Sequence, residues 1–340
     1  ESIRGVSPAV CITQRGANRN PRSTVGTVTN IYTELRMLYE KLAVRNCPHC
    51  GAAICAADCF ETTEKRGGDF FVYMDCCVCG KRMDKLTRTQ FSYNTKEGAC
   101  PECQGLGQTL KVDRTGAVDE RRSLEDGAVR FWAQKYAEYQ TGAFYAALRH
   151  YGLPVQPGTA VEAYSDLQKA VLYEGTSCSA LQETFPNIAV PKTVAQGRFE
   201  GVEPMLWRRL QEKGGDAKGM EGYFLHTPCR ACGGERLNPL SRGAAVRDVR
   251  LPQLSALSLD ELRRWLEKLE QELPSAHQKL VEPYLLDLQT KLRRLSDVGL
   301  GYLSLERQAG TLSGGETQRL RLAAALDSDI TGIFYICLLY

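Results

Sequence analysis

Four C-x-x-C pairs constrain this chain more than any other feature: Cys47/Cys50 in CPHCG, Cys76/Cys79 in CCVCG, Cys100/Cys103 in CPECQG and Cys229/Cys232 in CRACGG. Two thiolates at this spacing grip one metal ion from a tight turn, and the glycine just beyond each pair tolerates the backbone conformation the turn requires. Two pairs complete a tetrahedral all-cysteine site, so the eight residues predict two zinc ions. Secreted disulfides are disfavoured, because ESIRGVSPAV at the N-terminus has no basic region followed by an apolar core. A redox C-x-x-C would explain one pair but not four. The spacing leaves the pairing open: Cys76/Cys79 with Cys100/Cys103 spans an ordinary zinc-finger length, and would leave Cys47/Cys50 to meet Cys229/Cys232 at long range. The remaining cysteines, Cys11, Cys55, Cys59, Cys77, Cys178 and Cys337, follow no such pattern and are expected to be small buried hydrophobes.

At 340 residues with 43% hydrophobic content, the chain is long enough for two or three domains with real cores. No apolar run approaches the ~20 residues that span a bilayer, and the reading is cytoplasmic with no membrane partner. A net charge of +3 leaves the partner open, since a patch matters more than a total.

Along the chain, NIYTELRMLYEKLAV places Ile31, Leu35, Leu38 and Leu42 at helical spacing. Short strand-like pieces such as DFFVYM lie among the first three cysteine pairs. Residues 108–228 are mainly helical in pattern, with AVRFWAQKYAEYQTGAFYAALRHYG the clearest helix, and read as an inserted module. SLDELRRWLEKLEQELP puts Leu259, Leu262, Leu266, Leu269 and Leu273 on one face, with Ser258 and Glu261 as a capping box and Pro274 as the stop. A second helix follows through Leu285, Leu288, Leu292 and Leu295. The fold class is therefore α/β, in the mixed α+β sense.

LSGGETQRLRLAAAL then offers a hydroxyl at a helix cap, bare N–H groups at Gly314 and Gly315, and the positive end of the helix dipole behind them. That is a seat for a terminal phosphate. An ordinary Gly-Gly turn capping a helix would look similar.

The whole string LSGGETQR resembles the signature motif of ATP-binding-cassette ATPases, and DVGLGYLSLERQAGTLSGGETQRLRLA resembles that region of the UvrA family of ABC excinuclease components. GVSPAVCITQRGANRNPRSTVGTVTNIYTELRMLY resembles the family's Q-loop segment, FSYNTKEGACPECQGLG a zinc module, and FEGVEPMLWRRL with PCRACGGERLNPLS the return from its inserted domain. The resemblance implies a partial ABC-type cassette with zinc modules and a mainly helical inserted domain. Its divisions would be 1–46 with the Q-loop, 47–107 zinc-binding, 108–228 inserted, 229–257 the second zinc knuckle and return strands, and 258–340 with the signature and a truncated Walker B strand.

It further implies that Gln14 is the Q-loop glutamine, which contacts metal and attacking water, and that Ser313, Gly314, Gly315 and Glu316 close in trans over the γ-phosphate of ATP-Mg held by an opposite cassette. The family's cysteine knuckles that flank the insertion favour joining Cys100 and Cys103 to Cys229 and Cys232, leaving Cys47, Cys50, Cys76 and Cys79 together. Implied partners are duplex DNA, a second cassette and a second copy of the complete protein. Only GAAICAADCFETTEKRGGDFFVYMD separates Cys50 from Cys76, where the long form of the family carries a UvrB-docking domain, so UvrB binding is not expected. The shortened arrangement resembles UvrA-like paralogues associated with resistance to DNA-binding drugs.

No G-x-x-x-x-G-K-[ST] occurs in these residues, and DSDITGIFYICLLY resembles the approach to a Walker B strand without its acids. The chain alone is therefore expected not to hydrolyse ATP, and no residue is assigned as catalytic. The alternative is a zinc-stabilised DNA-binding module without ATPase activity of its own. Arg121, Arg122, Arg130, Lys192, Arg198, Arg208 and Arg209 are available cations, but such residues on helices are usually a solvated face. Trp132, Tyr136, Tyr139 and Phe144 fall near helical spacing and are expected to pack in a core.

Overall fold

The structure is a computed structural model that describes residues 9–12, 20–214, 217–326 and 334–337. Gln14, the Q-loop assignment, lies outside the described residues, as do 327–333 and 338–340 around the Walker B-like segment. Among the described residues no helix is long and apolar enough to cross a membrane. The chain divides into two compact units, Glu1–Gln108 with Pro228–Tyr340, and Thr109–Thr227.

The core of the first unit is built from three amphipathic helices. Ile31–Leu42 buries Ile31, Leu35, Leu38, Tyr39 and Leu42. Leu259–Glu272 buries Leu259, Leu262, Leu266 and Leu269, and Ser275–Asp297 buries Leu285, Leu288, Leu292 and Leu295. These side chains form one apolar cluster. The start of Leu259–Glu272 is set by the Ser258 hydroxyl, which accepts from the Glu261 N–H, while the Glu261 carboxylate accepts from the Ser258 N–H at 2.9 Å. Pro274 ends that helix, yet the next begins at Ser275, because proline's fixed φ suits a helix entrance as well as an exit.

Three small sheets complete this unit. Ala9–Ile12 pairs in parallel with Phe334–Cys337, Ala9 opposite Phe334 and Ile12 opposite Cys337. Val44–Asn46 pairs antiparallel with Ala53–Cys55 and, at Val44 opposite Ala245, with a short hairpin of Ala245–Val246 and Val249–Arg250. Phe60–Arg66, Asp69–Asp75 and Arg82–Asp84 form an antiparallel meander in that order. It is tied down by Lys85, almost fully buried and paired with Glu61 and, at 3.6 Å, with Glu40.

The second unit has its own core around Phe144, Leu148, Val171, Leu172, Val202 and Leu206. Its main helices are Gln134–His150, Asp166–Glu174 and Val202–Glu212. The helix expected over 128–152 begins only at Gln134. Ala128 and Arg130 donate their N–H groups back to Ser123 and Ala117, and Val129 bridges Val118, so those residues belong to a folded turn. Trp132 lies in that turn and is buried, Phe144 is a core ring, Tyr136 is half-buried, and Tyr139 is 57% exposed, which corrects the expectation that all four aromatics are core. Of the patternless cysteines with described side chains, Cys178 is buried, Cys55 and Cys59 are half-buried, and Cys11 and Cys77 are exposed. The buried-hydrophobe expectation fails where a cysteine sits on a strand edge or at the outer side of a metal-type knuckle.

Candidate metal centres and phosphate-facing turn

The eight C-x-x-C thiols form two groups, Cys47, Cys50, Cys76 and Cys79, and Cys100, Cys103, Cys229 and Cys232, in each of which the sulfurs lie within 4.8 Å of one another. The grouping across Cys79 and Cys100 that spacing alone permitted is not the one formed. In the first group Cys47 and Cys79 sulfurs are 3.9 Å apart and those of Cys50 and Cys76 also 3.9 Å. In the second, Cys100 to Cys229 is 4.0 Å and Cys103 to Cys232 is 3.7 Å. A zinc ion with four sulfurs at about 2.3 Å in a tetrahedron sets sulfur–sulfur distances of about 3.8 Å. The spacing fits that arrangement and is far too long for a disulfide of about 2.05 Å.

Local backbone prepares both sites. Gly51 and Gly80 donate to the carbonyls of Cys47 and Cys76 at 2.9 and 2.8 Å with φ of +74° and +71°, a conformation that strains any residue with a Cβ. The N–H groups of His49 and Cys79 point at the sulfurs of Cys47 and Cys76 at 3.4 and 3.5 Å, and that of Gly107 at Cys103 at 3.2 Å. Backbone N–H groups of Cys79 and Val78 hold the Cys76 thiol down to about 6. At Cys76 the thiolate, which is the metal ligand, is thereby favoured, whereas burial pushes the Cys103 and Cys232 thiols up. The groups differ in shelter: all four cysteines of the second are buried, whereas Cys50 is exposed and Cys79 half-buried in the first. Ile54, Met74 and Met83 supply an apolar backing to the first.

The helix Gly314–Ala325 is capped by Ser313, whose hydroxyl accepts from the Glu316 N–H at 3.2 Å, while the Glu316 carboxylate accepts from the Ser313 N–H at 2.6 Å. The Tyr302 hydroxyl donates to the other Glu316 oxygen at 2.6 Å. Tyr302 and the Ser313 N–H hold the Glu316 carboxyl below its ordinary value. Ser313, Gly314 and Gly315 are exposed. Among the described residues a Cβ on Gly315 would meet nothing within 4 Å, so packing against them does not demand glycine there. Arg319, one turn on, anchors the helix through bonds of 3.2 Å to the Val298 and Gly299 carbonyls. Gln318 donates to the Ile12 carbonyl at 3.0 Å, tying the same helix to the parallel strand pair.

The basic residues divide sharply. Arg121 pairs with Asp119 at 3.1 Å, and Arg122 reaches the same carboxylate at 3.8 Å. Arg208 is held by Glu200 and Glu212, and Arg209 lies over the Phe131 and Tyr136 rings. Lys192 and Arg198 have no carboxylate partner among the described residues. In the first unit the structure gathers a set that sequence reading missed, Arg22, Arg36 and Arg236, around the Tyr32 and Tyr93 rings. Arg36 lies over Tyr32 at 5.7 Å and Arg236 over Tyr93 at 5.2 Å, beside a cavity of about 380 Å³. Their wide separation in sequence hid the grouping.

Residues 114–218 match the family model described as the UvrA DNA-binding domain. UvrABC system protein A from Agrobacterium fabrum is 34% identical over 267 residues, covering 77% of this chain and 27% of that protein. The protein of that name from Thermus thermophilus is 28% identical over 453 residues, covering 99% of this chain and 46% of its own. The crystal structure of UvrA2 from Deinococcus radiodurans aligns with a TM-score of 0.60 at 25% identity, covering 98% of this chain and 39% of that one. The chain spans less than half the length of these relatives. With two metal-type thiol clusters, a capped Ser-Gly-Gly-Glu helix and these matches together, the chain belongs to the UvrA family.

Proposed function

We propose that this chain is the signature-bearing and zinc-bearing part of a UvrA-type ABC ATPase that binds duplex DNA and senses its distortion, in excision repair or in protection against DNA-binding drugs. The observation that carries the reading is the match of residues 114–218 to a UvrA DNA-binding domain, flanked on both sides in sequence by the Cys100/Cys103 and Cys229/Cys232 knuckles of one four-thiol cluster. Zinc in that cluster would pin the two chain segments that enter and leave the inserted module. Zinc in the other would close the loop between Cys50 and Cys76.

In this reading Ser313, Gly314, Gly315 and Glu316 form an exposed turn that closes over the γ-phosphate of ATP-Mg bound to an opposite cassette, with Gln14 as the Q-loop residue. The space beside Gly315, open among the described residues, supports it: the missing side chain leaves room for a group from outside the chain. Residues 1–46 and 258–340 would serve the cassette, 47–107 and 229–257 the zinc modules, and 108–228 the inserted domain. The complete protein would act as a cytoplasmic homodimer. The Thermus thermophilus match runs over 453 residues against 340 in this chain, so at least 113 positions (453 less 340) have no counterpart here. That difference, and the mere hairpin of Phe60–Arg66 and Asp69–Asp75 between Cys50 and Cys76, support a short form without a UvrB-docking domain.

The test is fluorescence anisotropy with labelled duplexes across a salt series. Binding should be sequence-indifferent and weaken steeply with salt, because backbone phosphates and duplex shape carry it. Tight, salt-insensitive binding to one base sequence would overturn the reading.

A further inference from the structure

A pocket of about 520 Å³ opens in the second unit between the helix Gln134–His150 and the segment 192–200. Its floor is apolar: Ala143 and Phe199 are buried, and the Phe199 ring meets Trp132 and Phe144 edge-on, with centroids 6.5 and 5.5 Å away. On the rim, the Tyr139 ring is 57% exposed and packs against no other ring among the described residues. The next residue, Gln140, is only 8% exposed and lines the pocket, and its amide has no hydrogen-bond partner among the described residues. That amide lies at the pocket surface rather than sealed in the core, so it is free to bond a polar group that enters the pocket.

The facing wall supplies charge. Lys192 and Arg198 line the pocket without carboxylate partners among the described residues, and Arg198 is steadied by donating to the Lys192 carbonyl at 3.4 Å. The acid on the pocket, Glu200, is already neutralised by Arg208 at 3.0 Å. Gly197 keeps this wall in place: at φ +101° its missing Cβ would lie 3.0 Å from the His150 Cβ and 3.1 Å from the Ala146 carbonyl, so the segment lies against the helix only with glycine there.

An exposed ring, an unpaired amide and two cations without carboxylate partners around one cavity match the three parts of a nucleotide: base face, base edge and phosphates. We propose that this pocket receives a single unstacked nucleotide of DNA, with the base on Tyr139, its polar edge on Gln140 and the flanking phosphates on Lys192 and Arg198. The inference rests on the reading of this unit as DNA-binding and deepens it from backbone contact to capture of a base that has left the stack.

The experiment compares two labelled duplexes, one fully matched and one with a single bulged nucleotide, with the bulge also made as 2-aminopurine to report stacking by its emission. The full chain should bind the bulged duplex about tenfold more tightly, the size of one aromatic–base stack, and the 2-aminopurine signal should change on binding. Tyr139→Ala should abolish that preference while matched-duplex affinity stays within about twofold, as for other surface substitutions. Tyr139→Phe should keep the preference, Gln140→Leu should reduce it, and Lys192→Ala with Arg198→Ala should weaken both duplexes and flatten the salt slope. Equal affinity for the two duplexes, or a preference that survives Tyr139→Ala, would overturn the pocket and leave duplex binding standing. Failure to bind either duplex would overturn the DNA reading and the pocket with it.

Discussion

Glu316 shows how one carboxylate can organise the turn that opens a helix. It closes the cap with Ser313 and is itself held by the Tyr302 phenol. A carboxyl whose folded pKa is depressed contributes stability above its unfolded value, about 4.3 for glutamate, and that contribution is lost as pH falls through the folded value. The cap should therefore persist through the ordinary glutamate range and loosen only below it. Tyr302→Phe removes the largest cause of the depression, so the Glu316 midpoint, followed by carboxyl-carbon NMR, should rise toward the ordinary value. An unchanged midpoint would show that the phenol does not hold this group. The serine hydroxyl at the cap was readable in LSGGE, whereas its closure by Glu316 and the hold of Tyr302 on that carboxylate emerge only in the structure, because a tyrosine fourteen positions away carries no local signal.

Elements were readable where local chemistry and burial agree. The helix Leu259–Glu272 follows its leucine period and its capping box, and Ser258→Ala should cost about 1 kcal/mol in a urea melt, since the Glu261 N–H loses its acceptor. The start of Gln134–His150 was not readable. Its N-cap, Ala133, makes no side-chain bond, and contacts with Ser123 and Ala117 remove the preceding residues from the helix. The thiol pairing was open for a different reason: Cys100 and Cys229 meet across 129 positions, and spacing counts only neighbours. A Cys229→Ser, Cys232→Ser variant should lose about one of two zinc ions per chain, since two thiols seldom retain the metal that four hold. X-ray absorption should still show a four-sulfur site in what remains, from Cys47, Cys50, Cys76 and Cys79. A remaining site containing Cys100 and Cys103 would refute the grouping.

At the scale of the molecule, the two apolar clusters share no residue, and each belongs to its own unit. Leu292 is fully buried among the leucines of the first cluster, and Phe144 is fully buried among the rings of the second. Truncating Leu292 to alanine should cost about 2–5 kcal/mol and truncating Phe144 about 3–5 kcal/mol, the range for lost burial plus the cavity left behind. Chains whose cores are separate need not melt as one two-state system, and a single Tm then ceases to describe them. Calorimetry of the zinc-loaded chain should therefore resolve two transitions. Leu292→Ala should lower one and Phe144→Ala the other, each by several degrees, because about 1 kcal/mol shifts a unit of this size by roughly 2–8 °C. The unit Thr109–Thr227 can then be destabilised without unfolding the helix Gly314–Ala325, which near-ultraviolet dichroism and Glu316 NMR would report independently. A single transition moved equally by both substitutions would mean that the cores unfold as one.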